Sequence, residues 1–323
     1  MARGRSGADG PDGLVVVDKP AGWTSHDVVA KSRGLLGTRK VGHAGTLDPD
    51  ATGVLLLGVG KATKLLRYLS PLGKSYEGEV TLGVGTSTLD AGGDVTAVHD
   101  LSAITLDDVS RAAEAFRGVI WQIPPMVSAV KVDGKRLHQL AREGIEVERE
   151  ARPVTIHELA IGPEPVPAGL RIGGEPTDEW RAAAAGGSGI TFALSATCSS
   201  GTYVRTLAAD IGAALGGGAY LRSLRRTSVG PFTLADAVPL ESVAPERVLP
   251  LEQAVRHLAP VPVDEARAAD VAVGKVLERG DLGIAAEDEG EGPWAVFGPE
   301  GRLLAVYEPF RGSTVKPSLV IPT

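Results

Sequence analysis

Apolar and polar residues alternate in short, well-separated blocks along this chain. Leu14 to Val17 is a continuous apolar run followed by Asp18-Lys19-Pro20-Ala21-Gly22, which predicts a strand leading into a turn. Ser25 is placed to cap a helix running to about Leu36. A glycine-rich loop, VGHAGTLDPDATG, precedes a second apolar strand from Val54 to Val59. Lys61 to Leu69 has helical spacing at Leu65, Leu66 and Leu69, whereas Tyr76 to Val84 alternates as a half-buried strand does. Leu106 to Arg117 reads as an amphipathic helix, and a further helix is expected over Arg136 to Arg142. Ile190, Phe192, Leu194, Ala196 and Cys198 form one face of a strand. A turn at Ser199-Ser200-Gly201-Thr202 then opens a helix from Tyr203 to about Leu215, ended by glycines 216 to 218.

These blocks divide the chain. Residues 1–12 read as a flexible tail and 13–250 as one large domain. Residues 161–189, rich in Pro, Gly and Ala, form an expected surface excursion. Beyond Leu249-Pro250 the composition shifts to short strands such as Trp294 to Phe297 and Leu303 to Tyr307 separated by Gly-Pro turns, so 251–323 reads as a small β-rich domain.

With 43% hydrophobic residues the chain has enough apolar material for a core. The N-terminus lacks an apolar h-region, no apolar run near it is long enough to span a bilayer, and Cys198 is the single cysteine. A cytoplasmic protein without a membrane segment is therefore expected. The net charge of −7 argues against a nucleic-acid partner, but the distribution is uneven. Residues 1–75 carry 11 Lys and Arg against 6 Asp, and residues 200–232 carry four Arg against Asp210. Basic segments in an acidic chain are compatible with a local phosphate-binding face.

Several familiar chemistries are excluded. Gly53 and Gly58 have P-loop spacing, but Val59 stands where Lys is required. Thr88 replaces the third glycine of a dinucleotide fingerprint after Gly83 and Gly85. Asp48, Asp50 and Gly53 imitate a calcium loop that would end on Val59 instead of Glu. The histidines and the cysteine lack zinc spacing, and no serine sits in a G-x-S-x-G elbow. Neither metal, nucleotide nor other cofactor is expected.

What remains is an aspartate in a glycine-rich loop just before a proline, with small neighbours that let a bulky ligand approach. By itself Asp48 fits an Asx-type turn equally well. However, GHAGTLDPDATGVL (42–55) resembles the signature of the TruB family of tRNA pseudouridine synthases. DKPAGWTSHDVV (18–29), LGVGKATKLLRYL (57–69), KSYEGEVTLGVGTSTLDAGGDV (74–95), PPMVSAVKVDGKRLHQLAREGIEVERE (124–150) and CSSGTYVRTLAADIGAALGGGAYLRSLRRTSVGPF (198–232) resemble further blocks in the family's order, covering roughly 13–245.

The resemblance implies an α+β pseudouridine-synthase fold. That fold has a central mixed, largely antiparallel sheet flanked by helices, an RNA-clamping insertion at about 124–152, and a small C-terminal PUA-like domain. It implies isomerisation of uridine at position 55, in the T-arm of tRNA, by a monomer that flips the base out. Asp48 aligns with the nucleophilic carboxylate and Arg205 with its cationic partner. Tyr76 corresponds to the aromatic stacked on the base, and Tyr203 and Leu224 to other pocket positions. His43 matches the residue that fills the vacated stack. Lys19, Lys61, Lys64, Arg225 and Arg226 are candidate RNA-backbone contacts. Met126 and His138 depart from the tyrosines that members often carry in the clamp. Two other readings have distinct consequences: a tRNA-folding chaperone would bind the T-arm without chemistry, and a glycosidase would need a second carboxylate, for which Asp50 and Asp90 are available.

Overall fold

The computed structural model describes residues 10–128, 131–132, 134–162, 190–285 and 292–322. Most of the tail, of the 161–189 excursion and of the acidic 281–291 stretch lies outside these residues. The strands are β1 (Gly13–Lys19), β2 (Val41–Ala44), β3 (Thr52–Val59), β4 (Lys74–Leu82), β5 (Val84–Thr86), β6 (Val95–Val98), β7 (Gly118–Gln122), β8 (Lys131–Val132), β9 (Lys135–Arg136) and β10 (Arg152–Gly162). They continue with β11 (Thr191–Cys198), β12 (Ala219–Val229), β13 (Phe232–Thr233), β14 (Val238–Pro239), β15 (Ala259–Pro262), β16 (Leu277–Glu278), β17 (Trp294–Phe297), β18 (Leu303–Pro309) and β19 (Thr314–Val320). Among the described residues no helix is long and apolar enough to cross a membrane.

Ten strands make the large sheet in the order β14-β1-β3-β12-β4-β11-β10-β7, with β2 added to β3 and β13 to β12. Pairing is antiparallel except at β1–β14 and at the β3–β12 seam, where Arg225 faces Thr52 and Arg226 faces Gly53. The apolar runs of β1 and β3 are continuous because both faces are covered. Val15, Val17, Leu55 and Leu57 pack under the Ser25–Leu35 helix. Leu14, Val16, Val54 and Leu56 face Leu65, Leu69 and the C-terminal strands through Ala295, Leu303 and Val306. A second core joins Val80, Phe192, Leu194 and Ala196 to the Leu106–Glu114 and Val204–Ala214 helices. The C-terminal strands form their own sheet, β15-β17-β18-β19-β16, consistent with a PUA-like domain.

Several expectations shift. Thr24, not Ser25, caps the first helix: its hydroxyl accepts from the Asp27 N–H, and Asp27 closes the capping box. The Ser25 side chain is freed for another bond described below. Lys61–Leu69 is a 3-10 turn, Gly60–Lys64, followed by one helical turn, Leu66–Leu69. The helix expected to reach Arg117 ends at Glu114. Asp12, assigned to the tail, is anchored by the Lys61 N–H at 2.6 Å.

Gly53 is required at the parallel seam. Its φ is +101°, and an added Cβ would lie 2.2 Å from the Arg226 carbonyl oxygen. Gly53→Ala should destabilise the fold by ~3 kcal/mol or more, against about 1 kcal/mol for Thr24→Ala; urea-denaturation midpoints give the comparison, and equal midpoints would refute the seam argument.

Candidate active site

The loop joining β2 to β3 has no regular structure, yet every carbonyl from Gly45 to Pro49 is bonded. Arg226 donates Nη2 to the Gly45 carbonyl at 3.1 Å and Nη1 to that of Thr46 at 3.3 Å, while its Nε bonds the Val54 carbonyl at 2.7 Å. The Ser25 hydroxyl donates to the Leu47 carbonyl at 3.2 Å and accepts the Leu47 N–H at 2.9 Å. The Ala51 N–H closes a turn on the Asp48 carbonyl, and the Pro49 carbonyl accepts from Lys19 Nζ at 2.7 Å and the Gly22 N–H at 3.0 Å. Lys19 and Arg226 are fully buried. Burial lowers Lys19 to about 8, against the pull of Asp50 and Asp48, and lowers Arg226 as well.

This frame presents Asp48 to the first turn of the Val204–Ala214 helix. Arg205 Nε lies 3.0 Å from Asp48 Oδ2, and its Nη1 lies 3.2 Å from Asp90 Oδ2. Nη1 also bonds the Thr88 carbonyl and Nη2 the Val127 carbonyl, each at 2.9 Å. The guanidinium is thus held by four partners, with only 5% of the side chain exposed, whereas Asp48 shows 44% of its side chain to the open cavity. Asp90 is fixed in turn by the Thr88 hydroxyl at 2.5 Å and the Gly92 N–H at 3.0 Å. Leu89 beside it has φ +62°, a left-handed conformation that costs a non-glycine residue about 1 kcal/mol. Displacement of water by the surrounding protein pushes the Asp48 carboxyl above the usual range, with Arg205 opposing the push and Asp90 adding to it.

Asp48 opens on a cavity of about 220 Å³ whose walls include Tyr76, Tyr203, Arg205 and Leu224. Five residues from three separate sequence blocks therefore converge on one site. Tyr76 is buried on β4 beside Arg226, and burial pushes its phenol upward, so it is protonated at neutral pH. Leu224 is a buried apolar wall.

His43 lies on β2, outside the cavity lining, with its ring edge-on to His26 at 5.2 Å. Burial drops His43 to about 4, with His26 and Arg226 adding to the fall, so the imidazole is neutral at pH 7; its buried Nδ1 has no partner. The backbone-contact set needs correction. Lys19 and Arg226 have no surface to offer a phosphate and instead serve the loop. Arg225 is held by Asp18 in a two-bond pair, Nη1 to Oδ1 at 3.0 Å and Nη2 to Oδ2 at 2.7 Å. Lys61 Nζ bonds the Pro322 carbonyl at 2.8 Å. Lys64 is exposed as expected. The other four cations satisfy carbonyls and carboxylates, a demand invisible in a charge count.

Lys74 was missed. It lines the cavity, bonds the Ser70 and Leu72 carbonyls at 3.1 and 2.7 Å, and is lowered to about 8 chiefly by burial. The signal was available, because Lys74 shares the Tyr76 face of β4 under a period of two. The role of Asp90 had no comparable signal, since its partner lies 115 residues along the chain. No group of three or more His, Cys, Asp or Glu among the described residues is arranged to hold a metal ion.

The profile of the TruB family pseudouridylate synthase N-terminal domain matches residues 33–204, and that of the tRNA pseudouridylate synthase B C-terminal domain matches 205–261. The chain is 44% identical to tRNA pseudouridine synthase B of Arthrobacter sp. (strain FB24) over 314 residues, covering 95% of this chain and 96% of the relative. It is 46% identical to that of Streptomyces coelicolor over 304 residues, covering 94% and 95%. A chain in the crystal structure of a Cbf5-Nop10-Gar1 complex superposes with a TM-score of 0.70 at 26% identity, covering 97% of this chain and 86% of that one. Fold and site together define a pseudouridine synthase, an enzyme that isomerises uridine in RNA. The chain belongs to the TruB family of pseudouridylate synthases.

The two kinds of cation separate on mutation. Arg226→Met strands three carbonyl acceptors and should destabilise the protein by roughly 3 kcal/mol or more. Lys64→Ala should stay within about 0.5 kcal/mol. Denaturant unfolding of both decides, and equal effects would show that Arg226 is not a structural cation.

Proposed function

We propose that the enzyme isomerises the uridine at position 55, in the T-arm of tRNA, with Asp48 as the nucleophilic carboxylate. The observation that carries this reading is the Asp48–Arg205 pair at 3.0 Å opening on a nucleoside-sized cavity walled by Tyr76 and Leu224. The isomerisation breaks the C1′–N1 bond, turns the base and joins C1′ to C5; the C5 proton leaves and N1 ends protonated. Atoms are conserved and no electrons are exchanged. An ionised oxygen held near the sugar is the principal demand, and Arg205 favours that form against desolvation.

A stacked uridine must be extruded to reach this cavity, at a cost of a few kcal/mol. The Tyr76 ring, and Leu224 beside it, offset part of that by stacking and apolar contact. Its phenol, pushed up by burial, is protonated in the resting site. A neutral His43 with an unused Nδ1 enters the vacated stack without bringing in a charge. Tyr203 closes the cavity wall. Residues 124–152 clamp the T-arm, Lys64 is the remaining backbone contact, and RNA is read by shape and splayed bases. The reading includes a monomeric enzyme working in the cytoplasm, where its tRNA substrate is. A glycosidase is disfavoured because Asp90, the second carboxylate at the site, is already engaged by the Arg205 guanidinium, the Thr88 hydroxyl and the Gly92 N–H.

Chemical mapping of pseudouridine in a T-arm hairpin should show product with wild type. Asp48→Asn should lower the rate by roughly 10³-fold or more while leaving RNA binding almost unchanged. Persisting product would eliminate the carboxylate mechanism. Tyr76→Phe should slow turnover more than it weakens binding. Activity requires ionised Asp48, so it is lost as pH falls through that group's raised pKa, and the acid limb lies above the ordinary carboxylate range. Arg205→Met removes the opposing charge and should move the limb to still higher pH; a limb that stays put would remove Arg205 from this role.

A further inference from the structure

Strand β7 is an outer strand that leaves Val119 and Trp121 exposed and turns Gln122 inward, where it is 1% exposed. A buried amide needs both a donor and an acceptor as partners. Gln122 finds both on one residue. The Tyr203 N–H donates to Oε1 at 3.0 Å, and Nε2 donates to the Tyr203 carbonyl at 3.2 Å. The side chain therefore imitates a neighbouring strand. Tyr203 is the N-cap of the Val204–Ala214 helix and has no side-chain cap of its own. Its carbonyl also accepts the first intrahelical bond, from the Leu207 N–H at 3.0 Å. Five residues after Gln122, the Val127 carbonyl takes Arg205 Nη2 at 2.9 Å. The segment entering the 124–152 insertion thus grips the first helical turn twice, at the backbone before Arg205 and at its guanidinium.

We propose that Gln122 is a positioning residue for the reaction, registering the first turn of the Val204–Ala214 helix so that Arg205 meets Asp48 and Tyr203 stays on the cavity wall. The inference rests on the reading of Asp48 as the reacting carboxylate. Gln122 touches neither the cavity nor its occupant; it acts through Tyr203 and Arg205. Asp48 is faced by Arg205 from the helix, Asp90 from the turn before β6, Lys19 from β1, Asp50 from its own loop, and Tyr76 and Arg226 from β4 and β12. Of these, only Arg205 is registered by Gln122.

The test is a single-turnover pH profile on a T-arm hairpin with wild type, Gln122→Met, which keeps the volume and loses both bonds, and Gln122→Asn, whose amide is one methylene short. Misplacing the helical turn should lower the neutral-pH rate about 10- to 100-fold with hairpin affinity within about 3-fold. The acid limb should move to higher pH, because a loosened Arg205 no longer favours ionised Asp48. Should Gln122→Met fail to fold, Gln122→Asn carries the same readout. Rates like wild type, or slowed rates with an unmoved acid limb, overturn the proposal. Asp48→Asn judges the underlying mechanism separately: product from that variant refutes the carboxylate reading, whereas an unchanged Gln122→Met profile refutes the positioning role alone.

Discussion

Two buried cations hold together the loop on which everything else rests. Lys19 and Arg226 come from strands on either side of β3 and donate to the carbonyls of Gly45, Thr46 and Pro49, with Ser25 and Ala51 taking the two between. Burying a cation without a paired carboxylate is costly, and the depressed pKa of Lys19 records that cost. The return is a non-helical, non-strand segment with no free carbonyl among these five, so it needs no water to stay in shape. A loop fixed in this way holds a carboxylate as firmly as a strand does.

The second organising element is a single guanidinium. Arg205 binds two carboxylates and two carbonyls drawn from the β2–β3 loop, the turn before β6 and the segment after β7. Its planar fork suits several acceptors at once, and a lysine there would forfeit most of them. The site is therefore built by convergence at one residue on a helix terminus. Misalignment in any contributing segment is transmitted to the same pair of atoms.

The sheet supplies the register for this convergence. Gly53 lets the backbone of β12 close on β3, which sets Arg226 beside the loop it supports and Leu224 on the cavity wall. Tyr76 sits on the same strand face as Lys74, so one strand contributes both an aromatic and a cation to the cavity. The cavity and its supports draw on segments spread from Lys19 to Arg226, so no single stretch of the chain carries the site.

The sequence by itself determined the local elements and the identity of the central residues. The two-sided burial of β1 and β3 was legible as continuous apolar runs, the alternation of β4 and β11 as a period of two, and the helix after Gly201 from its glycine stop. Asp48, Tyr76, Tyr203, Arg205 and Leu224 were singled out by the resemblance to the TruB family, and the structure brings all five to one cavity. The fate of the other cations was not legible. Lys19, Arg225 and Arg226 looked like surface charge because charge and residue type do not reveal which carbonyls or carboxylates folding leaves in need of a donor. That need arises only when segments 30 to 207 residues apart are brought together. The pairings of Arg205 with Asp90 and of Gln122 with Tyr203 have the same origin: hydrogen bonds are settled by distance in space, and only the tertiary structure sets that distance.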